Sequence, residues 1–248
     1  MVEWFLPSDQ SSVITDTNKV NTKVKKICLV MPVYNEAEVI PSVISEIREA
    51  GNYTIIVVDD GSHDDSYLIA RAEGVLAVRH LVNRGKGAAV KTGVEVAKRL
   101  GADVVVTIDG DGQHDPADIA PLIAPILNDG YDVVLGSRLM NYKGMPKIKV
   151  IANKIGNTFT LLLYGILVSD SQSGFRAFSK FAAHVIDTKA DKYEYDSKVI
   201  REIKNNRLKF VEIPINVRYT EYSMGKAHKQ GLVNGLKTLV RMLWGLVA

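Results

Sequence analysis

Short apolar runs alternate with helical segments through the first half of this chain, and that alternation limits the folds open to it. The runs have the length and composition of buried strands and lie at 25–31, 53–58, 75–78, 104–108 and 132–135. The segments predicted to be helical between them lie at 37–50, 66–73, 88–100 and 116–128. Strands that alternate with helices form parallel sheets with right-handed crossovers. We therefore predict an α/β protein with a Rossmann-like, mostly parallel sheet and flanking helices.

The alternation ends after residue 135. We predict helices at 149–167, 193–205 and 231–246, a loop followed by a strand at 170–178, and a last strand at 210–219. Because Pro214 lies within that last strand, the strand is expected at an edge of the sheet or at a bulge. The predicted organisation is a loose N-terminal extension at 1–22, one main domain at 23–225 and an amphipathic helix at 226–248.

The composition is that of a globular protein, with 248 residues, 46% apolar residues and a net charge of +3. The one cysteine, Cys28, lies in an apolar run, so we expect a buried thiol and a reducing compartment. We find neither a secretory signal nor an apolar stretch long enough to span a bilayer. Residues 198–248 hold ten Lys or Arg and three acids, which favours an anionic partner on that side.

Two carboxylates, Asp109 and Asp111, follow the apolar run at 104–108. The carboxyl ends of parallel strands are where open α/β sheets bind ligands. Neighbouring carboxylates repel each other unless a cation lies between them, and hard oxygen ligands suit Mg²⁺ or Mn²⁺. The alternative is an ordinary Asp-Gly turn that leaves a strand.

Polar clusters follow three predicted strands, at 32–36, 59–62 and 109–113. Parallel strands bring these ends to one edge of the sheet. Asp59 and Asp60 can accept hydrogen bonds from a nucleobase or a ribose, or they cap the helix that begins near Ser66. Tyr34 can stack on a base or pack in the core. The chain has neither a P-loop nor a G-x-G-x-x-G motif, which argues against P-loop hydrolases and dinucleotide dehydrogenases.

Six motifs occur in order: Met31-Pro-Val-Tyr-Asn-Glu36, Val57-Val-Asp-Asp-Gly-Ser62, Asn83-Arg-Gly-Lys-Gly87, Asp109-Gly-Asp-Gly-Gln-His-Asp-Pro116, Gly136-Ser-Arg138 and Asp170-Ser-Gln-Ser-Gly-Phe-Arg176. Together they resemble the family 2 glycosyltransferases of the GT-A fold. More closely, they resemble the dolichyl-phosphate mannose synthase group, which comprises polyprenyl-phosphate glycosyltransferases. The resemblance covers about residues 25–220.

The resemblance implies a nucleotide-sugar donor, GDP- or UDP-linked, and a Mg²⁺ or Mn²⁺ cofactor. The implied donor-binding residues are Pro32, Tyr34, Glu36, Asp59, Asp60, Lys86, Asp109 and Gly110. The implied metal ligands are Asp109, Asp111 and Gln113, and the implied catalytic residues are Asp111, Arg138 and Arg176. Arg138 and Lys149 would hold the acceptor phosphate. The group usually has an arginine about a dozen residues after Arg138, and this chain has only lysines there, each of which offers a point charge in place of a bidentate guanidinium. The alternative interpretation of Arg176 is a residue that forms a salt bridge at the surface.

The resemblance also implies an inverting hexose transfer to polyprenyl or dolichyl phosphate. An acceptor phosphate is already an oxyanion at pH 7, whereas a sugar hydroxyl requires a base, for which Asp170 and Glu194 are the candidates. We expect a cytoplasmic protein at the membrane surface, through the 226–248 helix or a membrane partner subunit. That helix could instead pack on the domain.

Two alternative functions stay open. One is a family 2 enzyme that glycosylates a hydroxyl of a glycan, and the other is a non-catalytic nucleotide-binding subunit. Nucleic acid is not an expected partner, because no aromatic platform accompanies the basic residues.

Overall fold

The computed structural model describes residues 2–5, 24–141, 147–188, 190–191 and 194–218. Eight strands of these residues form one sheet: β1 (Val2–Phe5), β2 (Ile27–Val33), β3 (Thr54–Asp59), β4 (Leu76–His80), β5 (Val104–Thr107), β6 (Val133–Ser137), β7 (Arg176–Ser179) and β8 (Phe210–Pro214). The helices are α1 (Ile40–Ala50), α2 (Ser66–Ala72), α3 (Lys86–Arg99), α4 (Ile119–Asn128), α5 (Lys147–Tyr164), α6 (Lys180–Val185) and α7 (Glu194–Asn205). A 3-10 turn at Pro116–Asp118 precedes α4.

The first half of the sheet is parallel, as the sequence predicts. The strand order is β1-β4-β3-β2-β5-β7-β6-β8, and β4, β3, β2 and β5 run in one direction. The apolar runs that form them are buried on both faces, which is usual for strands of a parallel sheet. The prediction of a mostly parallel α/β sheet with flanking helices is confirmed.

The alternation of strands and helices ends after residue 135, and the next strand, β7, runs against the direction of the parallel strands. This strand is antiparallel to both of its neighbours, β5 and β6. Thr107 of β5 and Leu135 of β6 both pair with Arg176, so β5 and β6 end at the same edge of the sheet. The second half therefore brings its loops to the edge where the parallel strands end.

Helices on the two faces of the sheet close two separate apolar cores. Side chains of α1, α2 and α4 pack on one face, and side chains of α3, α6 and α7 pack on the other. In α1 the buried residues are Ile40, Val43, Ile44 and Ile47, which recur at the spacing of one helix face. Cys28 is fully buried, as expected.

Two elements differ from the prediction. Residues 2–5 were expected to belong to a loose extension, but they form the edge strand β1, antiparallel to β4. The six-residue helix α6 was not predicted, because it is too short to show a helical period. At the other edge, β8 ends at Pro214, so the expected edge strand is confirmed.

The predicted helix at 231–246 lies outside the described residues, and so does most of the 1–22 extension. Among the residues that are described, no helix combines the length and the apolar character that a membrane crossing needs.

Candidate active site

Three polar loops meet at one edge of the sheet, where β2, β3 and β5 end side by side. Val33 of β2 is paired with Asp59 of β3, and Val30 of β2 is paired with Thr107 of β5. The backbone continues this contact beyond the strands, since the Asp60 N–H donates to the Val33 carbonyl at 2.9 Å. The predicted convergence of the three clusters is therefore present.

The loop after β2 is held by the loop after β3. Asn35 has a positive φ of 54°, and its side-chain oxygen accepts a hydrogen bond from the His63 N–H at 2.9 Å. The Glu36 N–H donates to the Ser66 hydroxyl at 2.8 Å. Tyr34 is 40% exposed and meets the His63 ring edge-on, with the centroids 6.3 Å apart. Its exposure agrees with a stacking role better than with a place in the core.

Asp59 is fully buried at the end of β3. It accepts hydrogen bonds from the Ser62 N–H at 3.1 Å and from the Ser62 hydroxyl, and Arg79 Nε lies 3.2 Å from Oδ2. Burial raises the pKa of the Asp59 carboxyl despite the contacts with Ser62 and Arg79. Among the described residues, Asp59 Oδ2 is buried without a hydrogen-bond partner, beside the Arg79 guanidinium.

Asp60 was expected to contact the nucleotide-sugar donor, and in the structure its carboxylate forms hydrogen bonds within the protein. Its Oδ1 accepts from the Arg84 N–H at 3.0 Å and lies 2.8 Å from His80 Nδ1, and its Oδ2 accepts from the Gly85 N–H at 2.6 Å. His80 Nε2 lies 2.9 Å from the Thr92 hydroxyl on α3. Asp60 thus orders the loop that leads into α3, because a buried carboxylate needs such hydrogen bonds.

Lys86 is the first residue of α3, and its ammonium joins two acidic residues. Lys86 Nζ lies 2.7 Å from Asp109 Oδ1 and 3.6 Å from Asp196 Oδ2. Burial alone would lower the pKa of Lys86, but the two carboxylates outweigh it and raise that pKa above its usual value. The Lys86 ammonium at the edge of the site is suited to binding a diphosphate. In the ligand-free protein it neutralises Asp109.

Asp109 also contacts His114, and Gly174 makes room for the group. His114 Nε2 lies 3.4 Å from Asp109 Oδ2, and the imidazole packs on the Phe175 ring at a centroid distance of 5.0 Å. Burial would raise the pKa of Asp109, but Lys86 and His114 hold it well below its usual range. A Cβ at Gly174 would lie 2.6 Å from both Lys86 Nζ and Asp109 Oδ1, so a larger residue there would displace the ion pair.

Asp111 and Gln113 form the part of the acidic loop that faces outward. Gly112 between them has a φ of 73°, which turns the chain sharply. The Gln113 N–H donates to Asp111 Oδ1 at 3.1 Å, and its side-chain amide donates to Oδ2 at 2.6 Å. In the described part of the chain, no cationic side chain forms an ion pair with Asp111.

The donor set at this loop fits a divalent cation. A carboxylate and an amide oxygen are hard ligands of the kind that Mg²⁺ and Mn²⁺ take, and a half-turn of the Gln113 amide presents its oxygen. Three or more His, Cys, Asp or Glu side chains arranged to hold a metal are not found among the described residues. The expected set has only two carboxylates, and Lys86 already pairs with one of them, Asp109. Asp111 and Gln113 are therefore the better placed ligands.

Arg138 follows β6 and binds Asp170. Its Nε and Nη2 donate to the two carboxylate oxygens at 2.7 and 2.8 Å, and its backbone N–H donates to Oδ2 at 3.0 Å. Burial would raise the pKa of Asp170, but Arg138 holds it below its usual range. Because Asp170 is buried, ionised and bidentately bonded, it is poorly suited to act as a general base.

Comparison with known proteins places this site in a family. The model of glycosyl transferase family 2 matches residues 28–187. That span includes β3 to β7 and most of β2, the acidic loop and the Arg138–Asp170 pair. The chain belongs to glycosyl transferase family 2.

Named relatives of this family 2 member act on lipid phosphates. It is 40% identical over 241 residues to the UDP-N-acetylglucosamine–dolichyl-phosphate N-acetylglucosaminyltransferase of Methanococcus voltae, covering 88% of this chain and 95% of that one. It is 28% identical over 220 residues to the polyprenol monophosphomannose synthase of Mycolicibacterium smegmatis, with 84% and 82% covered. The resemblance to polyprenyl-phosphate glycosyltransferases is thus confirmed.

A solved structure has the same fold. The glucosyl-3-phosphoglycerate synthase of Mycobacterium tuberculosis, in complex with Mn²⁺, UDP and phosphoglyceric acid, superposes with a TM-score of 0.64. The two chains are 23% identical, and the match covers 88% of this chain and 79% of the other. The expected GT-A fold is confirmed.

Arg176, expected to contact a phosphate, is 1% exposed in this family 2 protein. Its guanidinium donates to the Asp196 carbonyl at 3.1 Å and to the Ser171 carbonyl at 2.8 Å, and it lies 3.7 Å from Asp196 Oδ1. Because β7 is enclosed between β5 and β6, this side chain is neither at the surface nor open to a ligand. It supports the loop beneath the site instead.

Four further candidate residues have the following positions. Pro32 lies in β2, and Gly110 packs on that strand, since a Cβ there would lie 2.6 Å from Val33 Cγ1. The side chain of Lys149 lies outside the described part of the structure. Glu194, the other candidate base, begins α7, and in the described contacts its Oε2 is buried without a hydrogen-bond partner.

Sequence reasoning assigned no role to two residues of the site, Asp196 and His114. Asp196 lies on α7, far from every acidic motif in sequence, and only the packing of α7 on α3 brings it to Lys86. His114 was quoted within the acidic motif without a function. Its proximity to Asp109 in sequence is the one signal that pointed to it.

Proposed function

We propose that this chain is an inverting glycosyltransferase that moves one sugar from a nucleotide sugar to a polyprenyl phosphate. The site would bind the donor at the ends of β2, β3 and β5, and the acceptor phosphate at Arg138. The relatives that act on dolichyl and polyprenyl phosphates support this acceptor class.

The observation that carries the proposal is the common edge of β5 and β6. Thr107 and Leu135 both pair with Arg176, and Asp109 and Arg138 follow them by two and three residues. An acidic loop suited to a divalent cation and a guanidinium suited to a phosphate therefore lie at the same edge of one sheet. A reaction between two anionic substrates needs cationic groups of this kind to hold them together.

The chemistry needs no general base, because the acceptor phosphate is already an oxyanion at pH 7. One of its oxygens attacks the anomeric carbon as the bond to the diphosphate oxygen breaks, and the electron pair leaves with the nucleoside diphosphate. Attack from the opposite face inverts the anomeric centre, so an α-linked donor gives a β-linked product.

The residues at this edge have separate tasks in the proposed reaction. Lys86 lies beside Asp109 and can move to the diphosphate, Tyr34 is open for stacking on the base, and Asp111 and Gln113 would hold Mg²⁺ or Mn²⁺. When bound, the divalent cation supplies positive charge beside the leaving diphosphate. Asp60 and Asp196 keep the loop and the lysine in position.

For the donor, we propose UDP-N-acetylglucosamine ahead of GDP-mannose. The support is the higher identity to the N-acetylglucosaminyltransferase, 40% against 28% for the mannose synthase. Since polyprenyl phosphates reside in bilayers, we propose that the protein works at the cytoplasmic membrane face, directly or through a membrane partner subunit.

The alternative acceptor, a glycan hydroxyl, would require a carboxylate base. Asp170 is committed to Arg138, so Glu194, with its unpartnered Oε2, is the remaining candidate. Transfer to a glycan hydroxyl is therefore one of the outcomes that the following experiment distinguishes.

The test is a transfer assay on the full chain with Mn²⁺, a short polyprenyl phosphate and labelled UDP-N-acetylglucosamine, UDP-glucose or GDP-mannose, followed by organic extraction. We expect extractable label with the UDP-N-acetylglucosamine donor. Label transferred to a glycan and not to the lipid would favour a hydroxyl acceptor. Nucleotide binding without turnover of any donor would favour a non-catalytic subunit.

A further inference from the structure

The segment that follows β8, residues 215–218, leads from the end of β6 to the acidic loop. Its first residue, Ile215, is fully buried, and the Ile215 N–H donates to the Ser137 carbonyl at the end of β6 at 3.1 Å. Two residues later, Val217 forms an isolated antiparallel bridge with His114 in the acidic loop. We call residues 215–218 the crossing segment, because it joins these two parts of the sheet edge.

Asn216 holds the crossing segment from both sides. Its N–H donates to Asp118 Oδ2 at 2.6 Å, and its side-chain amide donates to Asp118 Oδ1 at 3.0 Å. Asp118 is 8% exposed and lies in the 3-10 turn that follows the acidic loop. On the other side, the Asn216 side-chain oxygen accepts a hydrogen bond at 2.9 Å from Asn141, in the loop that follows Arg138. The crossing segment therefore has a fixed position relative to both loops of the proposed site.

Arg218, the last residue of the crossing segment, contacts the acidic loop with its backbone and with its side chain. The Arg218 N–H donates to the Gln113 carbonyl at 2.8 Å. Its guanidinium Nη2 lies 2.9 Å from Asp115 Oδ1, and Nη1 donates to Glu46 Oε2 on α1. The two carboxylates thus hold the arginine in the place where its N–H reaches the backbone of Gln113.

We propose that Arg218 is a positioning residue that orders the acidic loop for divalent-cation binding. The inference rests on the proposed function, in which Asp111 and Gln113 hold Mg²⁺ or Mn²⁺. Gln113 donates to both carboxylate oxygens of Asp111, so a shift of the Gln113 backbone would move both ligands. A loop that is ordered before the cation arrives loses less conformational entropy on binding. Arg218 would supply that order without contacting the cation.

Two other roles for Arg218 predict different results. An ion pair that serves stability alone would be weak here, because the side chains of Arg218 and Glu46 are 43% and 40% exposed. Its loss would lower the melting temperature slightly and leave cation binding unchanged. A purely electrostatic effect would have the opposite sign, since removing a positive charge near a cation site tightens cation binding. Weaker cation binding is therefore specific to the positioning role.

The experiment titrates Mn²⁺ into the full chain and measures the free ion by electron paramagnetic resonance. We expect Arg218→Ala to raise the Kd for Mn²⁺ by about three- to tenfold. Arg218→Lys keeps the charge but lacks the planar fork that binds both carboxylates, so its Kd should lie in between. The matched control is Arg48→Ala, which removes an equally exposed ion pair, with Glu73, and should leave the Kd within about twofold.

A double-mutant cycle with Glu46→Gln tests the side-chain anchor. Glu46 lies on α1, outside the acidic loop, and its replacement should raise the Kd less than Arg218→Ala does. In the double variant the two costs should be less than additive, because both changes remove the same contact. Additive costs, or a Kd that Arg218→Ala leaves unchanged or lowers, would overturn the positioning role alone. Absence of Mn²⁺ binding by the unmodified chain would contradict the metal loop of the proposed function, and the positioning role with it.

Discussion

Arg138 and Asp170 form a partly buried ion pair for which we propose two roles, in stability and in acceptor binding. Asp170 is fully buried, and Arg138 reaches the site edge with a side chain that is 23% exposed. The carboxylate fixes the plane of the guanidinium at the place where an acceptor phosphate is proposed to bind. Replacing either residue alone leaves the other without its main partner.

Arg138→Ala should raise the KM for the lipid acceptor by about tenfold or more, and leave the KM for the donor within about twofold. It should also lower the free energy of unfolding by about 3 kcal/mol, because the buried Asp170 charge loses its partner. Steady-state kinetics and urea denaturation measure the two effects.

The double variant Arg138→Ala/Asp170→Asn separates these effects. Removing the buried charge should recover most of the lost stability without restoring the acceptor KM. Equal rises of the donor and acceptor KM would contradict the phosphate role of Arg138.

Asp111→Ala tests the metal loop. Asp111 is partly exposed, and its described hydrogen bonds are to Gln113, so we expect the fold to persist. Metal-dependent transfer should fall by about a hundredfold or more, because the leaving diphosphate loses its cation. Asp115→Ala, which removes a cap of the following turn, is the neighbouring control. Full activity of Asp111→Ala with Mn²⁺ would refute the assignment.

At the scale of elements, the parallel half of the sheet could be predicted and the antiparallel part could not. Continuous apolar runs identify buried strands such as β3 and β5, and the loops that follow them then share an edge. The direction of β7 depends on how the chain returns through α5, which local patterns do not encode. Arg176 was expected to contact a phosphate or to form a surface salt bridge, whereas it lies in the interior.

The packing of α3 on β2 explains why a glycine lies in the middle of that helix. A Cβ at Gly93 would lie 2.3 Å from Val30 Cγ1 and 3.1 Å from Val58 Cγ2. Gly93→Ala should therefore destabilise the protein by about 1–3 kcal/mol, even though alanine is the better helix former. Urea denaturation followed by circular dichroism measures the change.

Val30→Ala supplies the control for Gly93→Ala, since it removes the methyl groups that cause the overlap. In the double variant the two costs should be less than additive. A neutral or stabilising Gly93→Ala would show that α3 can move away from the sheet at no cost.

For the whole molecule, the six ordered motifs predict the family and the sheet edge, and the structure supplies the network that joins them. Lys86 is linked to Asp109 and Asp196, and Asp60 orders the loop before it. Asp196 and His80 could not be found by motif, because their roles arise only when α7 and β4 pack around the site. The sequence likewise leaves the donor base unassigned.

The stoichiometry of one reaction tests the central claim most directly. The full chain is incubated with Mn²⁺, labelled UDP-N-acetylglucosamine and polyprenyl phosphate, and both UDP and organic-extractable label are quantified over time. Transfer to the lipid phosphate predicts one extractable sugar for each UDP released, and no release above background without the lipid. UDP release without extractable label, or release that does not depend on the lipid, would contradict a polyprenyl-phosphate glycosyltransferase.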